Sequence, residues 1–306
     1  MSFDVIGLGC GCLDFLAIVP NIPELDDEVR SFQSTQQGGG EVATALVALA
    51  KLGTSTSYLG RIGEDSAGYF IKREFERYDV DTSHMIMEPN ATSLVSAVLV
   101  DQASGKRSIV AGSTTASEFR PADIPDGLIE CAKYLHLDAT SRKAALVAAE
   151  RAKSSDVTVV LDADVLAYDD EIGQLVQLTD VMIASEGFSR RWTGTVNPDE
   201  AIEIMRSQGP ETVVLTLGDQ GSICVNKGQV IYTDAFPVEV IDTTGAGDVY
   251  HGAFIFGMLQ EWPLEKTAEF ASAVAAMKCT KLGGRQGIPT YDEAISFVKN
   301  RNANYF

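Results

Sequence analysis

From Tyr134 onward, β-rich runs and helical segments alternate with little between them, and that regularity leaves few folds open. Strands are expected at Tyr134–Leu137, Thr158–Asp162, Val181–Ala184 and Thr212–Leu217, with helices between them at Arg142–Ala152, Glu171–Leu178 and Pro198–Ser207. Alternation of this kind predicts a mostly parallel sheet covered by helices on both faces. Ser222–Val225 and Val230–Tyr232 read as an antiparallel pair at the sheet edge. Gly247–Leu259 and Leu264–Lys281 read as strong helices, with a short one from Tyr291. The chain begins with a strand at Phe3–Leu8. A helix at Val42–Leu52 opens after Gly38-Gly39-Gly40 and stops at Gly53; a strand at Ser57–Leu59 and an amphipathic helix at Ala67–Tyr78 follow. Left over are half-exposed strands at Phe15–Val19 and Glu28–Thr35, and a hairpin of Ser93–Asp101 with Arg107–Ala111. These pieces, separate in sequence, are expected to pair into a small accessory sheet on a single α/β domain.

Composition narrows the function. With Lys plus Arg at 24 and Asp plus Glu at 43, the net charge is −19, which argues against general binding to nucleic acid or anionic membrane. The 5 cysteines include no C-x-x-C pair, so neither a disulfide framework nor a zinc site is expected; Cys10 and Cys12 read as small buried residues on one strand face. No stretch of about 18 uncharged apolar residues occurs, and the acidic start MSFDVIGLG lacks the basic region of a signal peptide, so a cytoplasmic location is expected. Gly7-Leu8-Gly9-Cys10-Gly11-Cys12 breaks the dinucleotide fingerprint at its last glycine and runs on into a strand, not a helix. The P-loop, H-E-x-x-H and G-x-S-x-G patterns are absent.

The sharpest motif is Asp242-Thr243-Thr244-Gly245-Ala246-Gly247-Asp248, running into an apolar helix. Small residues at a helix start leave amide N–H groups unpaired and open to an anion, and glycine lets a phosphate approach the backbone. A carboxylate in the first helical turn can accept a proton from an attacking hydroxyl, so the segment could serve phosphoryl transfer to an alcohol. It could equally be a glycine turn whose Asp complements the helix dipole. The residues alone leave these two readings near even. The motif also holds no Lys or Arg, so amides, helix dipole and metal ions are expected to supply its positive field.

The motif resembles the second signature of the PfkB, or ribokinase-like, carbohydrate kinases. Gly39-Gly40 through Leu52-Gly53 is similar to the first signature. Gly60-Arg61-Ile62-Gly63-Glu64-Asp65 with Gly68 resembles the family's glycine turn, and Leu215-Thr216-Leu217-Gly218 with Gly221 its nucleotide-side turn. The resemblance implies a ribokinase-like three-layer α/β/α core with a mostly parallel sheet and a small β-sheet lid, built from about 13–36 and 91–113. It implies an ATP- and Mg2+-dependent sugar kinase in which Asp248 is the base and Gly245, Ala246 and Gly247 form the anion hole. Asp14, Gly39 and Gly40 would face the sugar, with Glu41 and Thr44 where the family often has Asn. Thr216, Gly218 and Gly221 would approach ATP. Asp242 and Thr244 match positions that hold K+ in some members. The family's N-x-x-E motif, which organises water around magnesium, is missing, and Glu186 is the candidate substitute. Arg107 reads as a solvated strand charge.

The GGG-x-x-ATA pattern, the Ser185-Glu186-Gly187 segment and the stretch from Phe270 to Pro289 resemble sulfofructose kinases, and Leu13-Asp14 and Asp27-Glu28-Val29-Arg30 are similar to ketohexokinases. Both act on the 1-hydroxyl of a ketose. Glu28 and Glu41 work against an anionic tail, which favours a neutral ketose over sulfofructose. A nucleoside kinase and a non-catalytic sugar-binding regulator are the other readings. The exposed lid strands are expected to pair two copies into a homodimer.

Overall fold

The computed structural model describes residues 3–164 and 170–301. The first half of the chain contains β1 (Val5–Leu8), β2 (Cys12–Val19), β3 (Gln33–Gly39), α1 (Glu41–Lys51), β4 (Thr56–Leu59), β5 (Arg61–Gly63), α2 (Ser66–Arg77), β6 (Ile86–Glu88), β7 (Val95–Asp101) and β8 (Arg107–Ala111). The alternating part follows as β9 (Tyr134–Leu137), α3 (Arg142–Lys153), β10 (Thr158–Asp162), α4 (Asp170–Gln177), β11 (Val181–Ser185), α5 (Glu186–Thr193), α6 (Pro198–Arg206) and β12 (Thr212–Thr216). The chain closes with β13 (Ser222–Asn226), β14 (Gln229–Thr233), α7 (Ala246–Leu259), α8 (Leu264–Lys278) and α9 (Tyr291–Arg301).

The main sheet has 8 strands in the order β14-β13-β12-β11-β10-β9-β1-β4. It is parallel from β4 to β12, and β13 and β14 are antiparallel. Strand residues alternate between two cores, as the pleat requires. Val5 packs with α1, α2, α7, α8 and α9, whereas Ile6 and Leu8 pack with α3 to α6. This is the three-layer arrangement expected from the alternation.

The leftover segments form a separate 4-stranded sheet, β3-β2-β7-β8. Leu16, Ile18, Val98 and Val100 share its inner face with Leu282. On the outer face Phe15 pairs with Ala97, and Ala97 with Val110. Val110 is 70% exposed and Phe15 45%.

Three local expectations need correction. The second leftover strand starts at Gln33, not Glu28, and runs through Gly38 and Gly39, because its ladder to β2 pairs Cys12 with Gly39 and Ile18 with Gln33. Only Gly40, with φ 98°, stands at the start of α1. A whole helix, α5, lies where the sequence analysis assigns no element. Ser185 Oγ accepts the Phe188 N–H at 3.2 Å, which caps the helix despite Gly187, and Gly194 ends it in the left-handed region. Finally, α8 ends at Lys278, not Lys281.

Candidate active site

In open α/β sheets, the carboxyl ends of parallel strands are where loops converge and ligands bind. Here Asp138 and Asp164, just past β9 and β10, lie within electrostatic reach of Glu41 at the start of α1, as does Asp248 at the start of α7, and the β7–β8 hairpin meets the Asp242–Asp248 loop through Gly105 and Arg107.

Gly245 adopts φ 72° before α7, and a Cβ there would meet the Gly284 Cα at 2.9 Å. The tight turn allows the first helical amides to point outward. The N–H groups of Gly245, Gly247 and Asp248 have no acceptor among the described residues, whereas Ala246 N–H donates to the Thr243 carbonyl at 3.2 Å. A Cβ on Gly247 would enter open space. Such a helix start is suited to an anion.

Asp248 sits in this first turn. Withdrawal from water pushes its carboxyl up to about 7; Arg107 and Lys278 oppose that shift, and Asp164 and Asp14 add to it. A carboxylate poised near neutrality suits a general base. Asp164, just beyond β10, is likewise raised by burial and partly held down by the Ser185 N–H, Arg191 and Arg107. Glu41, first in α1, is pushed up to about 8 by burial and by the carboxylates of Asp138 and Asp248. These groups share one crowded, acid-lined recess.

The acceptor side is built on close backbone approach. Asp14 accepts from Cys12 Sγ at 3.2 Å, and its carboxylate packs so tightly on Gly39 that a Cβ would lie 2.1 Å from Oδ2. Burial raises the Asp14 carboxyl, against Cys12 and Arg285. A Cβ on Gly40 would strike the Cys10 carbonyl at 2.2 Å. Thr44 is 1% exposed, with its Oγ1 3.5 Å from Arg285 Nε. Arg285 is fully buried behind β3 and donates to the Gly39 carbonyl at 3.0 Å.

On the β12 side, Thr216 Oγ1 donates to the Ala184 carbonyl at 3.3 Å and Gly218, at φ 64°, borders open space. Gly221 is held for another reason: a Cβ would lie 1.9 Å from the Thr233 carbonyl of β14. Glu186 pairs with Arg190 one turn along α5. Asp164, which interacts electrostatically with Asp248, is an acidic residue of the recess that the sequence reading did not single out, although a carboxylate just past a parallel strand was visible in Asp162-Ala163-Asp164.

The K+ expectation at Asp242 and Thr244 meets a loop whose donor atoms are already engaged. Asp242 Oδ1 accepts the Thr244 N–H at 2.8 Å and its hydroxyl at 2.6 Å, and Oδ2 accepts the Gly283 N–H at 2.7 Å. Nor does the loop lack cations. Lys278 reaches it from the end of α8, and Arg107 Nη1 donates to Thr243 Oγ1 at 3.1 Å. Arg107 is thus no free strand charge; the hairpin tip carries it onto the loop. Between α7, β9 and β10 lies a buried trio, His251, His136 and Asp162, with potential ligand atoms within 4.8 Å of one another. Burial raises Asp162 and lowers both imidazoles, so the surroundings disfavour the charged form of each.

Among the described residues, no helix is long and apolar enough to cross a membrane. The chain is 30% identical over 272 residues to a ribokinase of Haemophilus influenzae, covering 86% of this chain and 87% of that protein. It is 28% identical over 318 residues to the 5-dehydro-2-deoxygluconokinase of Bacillus subtilis, covering 97% and 96%. An Arabidopsis thaliana ribokinase solved with ribose and ATP superposes with a TM-score of 0.80 over 98% of this chain and 99% of that one, at 22% identity, a likeness of fold. Residues 4–291 match the domain of the pfkB family carbohydrate kinases, and this chain, a sugar kinase with the ribokinase-like fold, belongs to that family.

Proposed function

We propose that this enzyme transfers the γ-phosphoryl group of ATP to the primary 1-hydroxyl of a neutral, fructose-like ketose. The observation that carries the reading is Asp248, a carboxyl held near neutrality beside unpartnered amides at the start of α7. Asp14 takes sugar hydroxyls, with Gly39, Gly40 and Glu41 shaping the recess. Asp248 accepts the proton of the attacking hydroxyl as its oxygen bonds the γ-phosphorus and ADP departs. The amides of Gly245, Gly247 and Asp248 receive the transferring oxygens, and Ala246 N–H joins them if its 3.2 Å turn bond yields. Thr216 and Gly218 border the nucleotide. The Asp164 carboxylate, crowded by its acidic neighbours, is a hard oxygen donor of the kind Mg2+ prefers; bound there, the ion would offset phosphate charge and leave Asp248 to act as base. The small sheet acts as a lid that excludes water and so limits ATP hydrolysis.

The neutral acceptor follows from charge. Asp14, Glu41 and Asp248 line the sugar side, Arg285 is sealed behind it, and Arg107 stands over the phosphoryl loop. A sulfonate, phosphate or carboxylate tail would meet carboxylates. ADP release measured over ketoses, aldoses, sugar acids, sulfosugars and nucleosides should show the highest kcat/KM with a neutral ketose. It should fall to background when EDTA removes divalent ions. A sulfosugar or a sugar acid as best substrate would overturn the neutral acceptor, and a nucleoside would overturn the sugar site.

We also propose that the Phe15, Ala97 and Val110 face of the lid pairs two copies. Light scattering should then give twice 32.8 kDa, and Val110→Glu should halve it. A monomeric mass for the unaltered protein would refute the pairing.

A further inference from the structure

Lys278 is a buried cation that the reaction scheme above does not use. It is the last residue of α8, is 0% exposed, and its Nζ donates to the Asp242 backbone carbonyl at 2.8 Å. Among the described residues it forms no ion pair. A buried ammonium held by a peptide oxygen is costly unless its charge is used nearby. The carboxylates of Asp242 and Asp248 favour its charged form against the burial that lowers its pKa.

What it holds is the phosphoryl loop. Both carboxylate oxygens of Asp242 are taken by Thr244 and Gly283. The carbonyl that remains is bound by Lys278. The other end of that same peptide unit, Thr243 N–H, donates to the Gly105 carbonyl at the lid tip at 3.1 Å. Charge on the carbonyl side polarises the amide and strengthens the lid contact. Ammonium, loop and lid tip therefore form one chain of hydrogen bonds, and each carboxylate oxygen and the carbonyl of Asp242 already accepts a hydrogen bond from within the protein.

We propose that Lys278 is the built-in monovalent cation of the Asp242–Asp248 loop, a positioning residue that orients the phosphate cradle and makes turnover independent of K+. The proposal rests on the kinase reading above. In choline, sodium and potassium chloride at equal ionic strength, the unaltered enzyme should keep the same kcat within about twofold. Lys278→Met, close in shape but uncharged, should lower kcat by about 100-fold, on the scale of one lost oxyanion donor, with KM for ATP changed far less. Lys278→Ala should lose as much in choline and recover about tenfold or more with potassium or methylammonium, a rescue that simple destabilisation would not show. Tenfold activation of the unaltered enzyme by K+ would overturn the proposal, as would Lys278→Met turning over at the normal rate. Thermal melting reads the same question without turnover. The unaltered protein should melt at one temperature in all three salts, and Lys278→Ala should melt higher in potassium than in choline; a potassium-raised melting temperature of the unaltered protein would count against the proposal. An acceptor panel with no substrate would instead sink the acceptor reading, and the melting arm would still decide the cation.

Discussion

Asp248→Asn should lower kcat by about 10³-fold while leaving the fold and ATP affinity nearly intact, because general-base help of this kind is worth about 10² to 10⁴. Asn keeps the shape and can still donate a hydrogen bond, but it cannot take the hydroxyl proton. The unaltered enzyme should carry the matching pH signature. With the carboxyl at about 7, kcat/KM should fall about tenfold per pH unit on the acid side and level off above neutrality; in Asp248→Asn that limb should vanish. Stability gives an independent sign. The folded pKa lies above the ordinary carboxylate value, so ionising Asp248 costs the folded state between roughly pH 4 and 7, and the cost is complete above 7. Asp248→Asn should therefore melt higher than the unaltered protein at pH 8, with the difference fading toward pH 4. Near-normal kcat in the variant would remove Asp248 from the role of base.

Much of this architecture was readable because local and global signals agreed. The alternation after Tyr134 yielded the parallel sheet, and the unplaced pieces yielded the second sheet. The glycine turn was readable too: Asp65 Oδ1 caps α2 through the Gly68 N–H at 2.8 Å, and a Cβ on Gly68 would lie 2.0 Å from the Gly63 carbonyl. What escaped depends on contacts distant in sequence. Thr44 lies on the face of α1 that meets Arg285, 241 positions away, so a helical register alone did not show that contact. Lys278 and Arg107 reach the phosphoryl loop from a helix end and a hairpin, and nothing in the composition of that loop announces them. α5 was hidden by Gly187, a poor helix former that the Ser185 cap outweighs.

Arg107→Ala is the second large effect expected, a fall of about 10² in kcat, since a lid arginine set over a transferring phosphoryl group resembles an arginine finger supplied in cis. The hairpin that carries it docks on Thr243: the Thr243 N–H and Oγ1 both donate to the Gly105 carbonyl at 3.1 Å, and Gly105 turns at φ 64° to present it. Arg107 then adds its own bond to Thr243 Oγ1. The side chain is exposed, so its loss should scarcely change melting, and a lowered kcat cannot be blamed on unfolding. A second reading of the same variant comes from electrostatics. Arg107 holds the Asp248 carboxyl down against burial, so Arg107→Ala should move the acid limb of kcat/KM to higher pH. Arg107→Lys keeps the charge but not the planar fork, so it should restore the position of the limb and only part of kcat. A variant with unchanged kcat and an unmoved limb would return Arg107 to the solvent and leave the cradle to Lys278, the helix start and the metal.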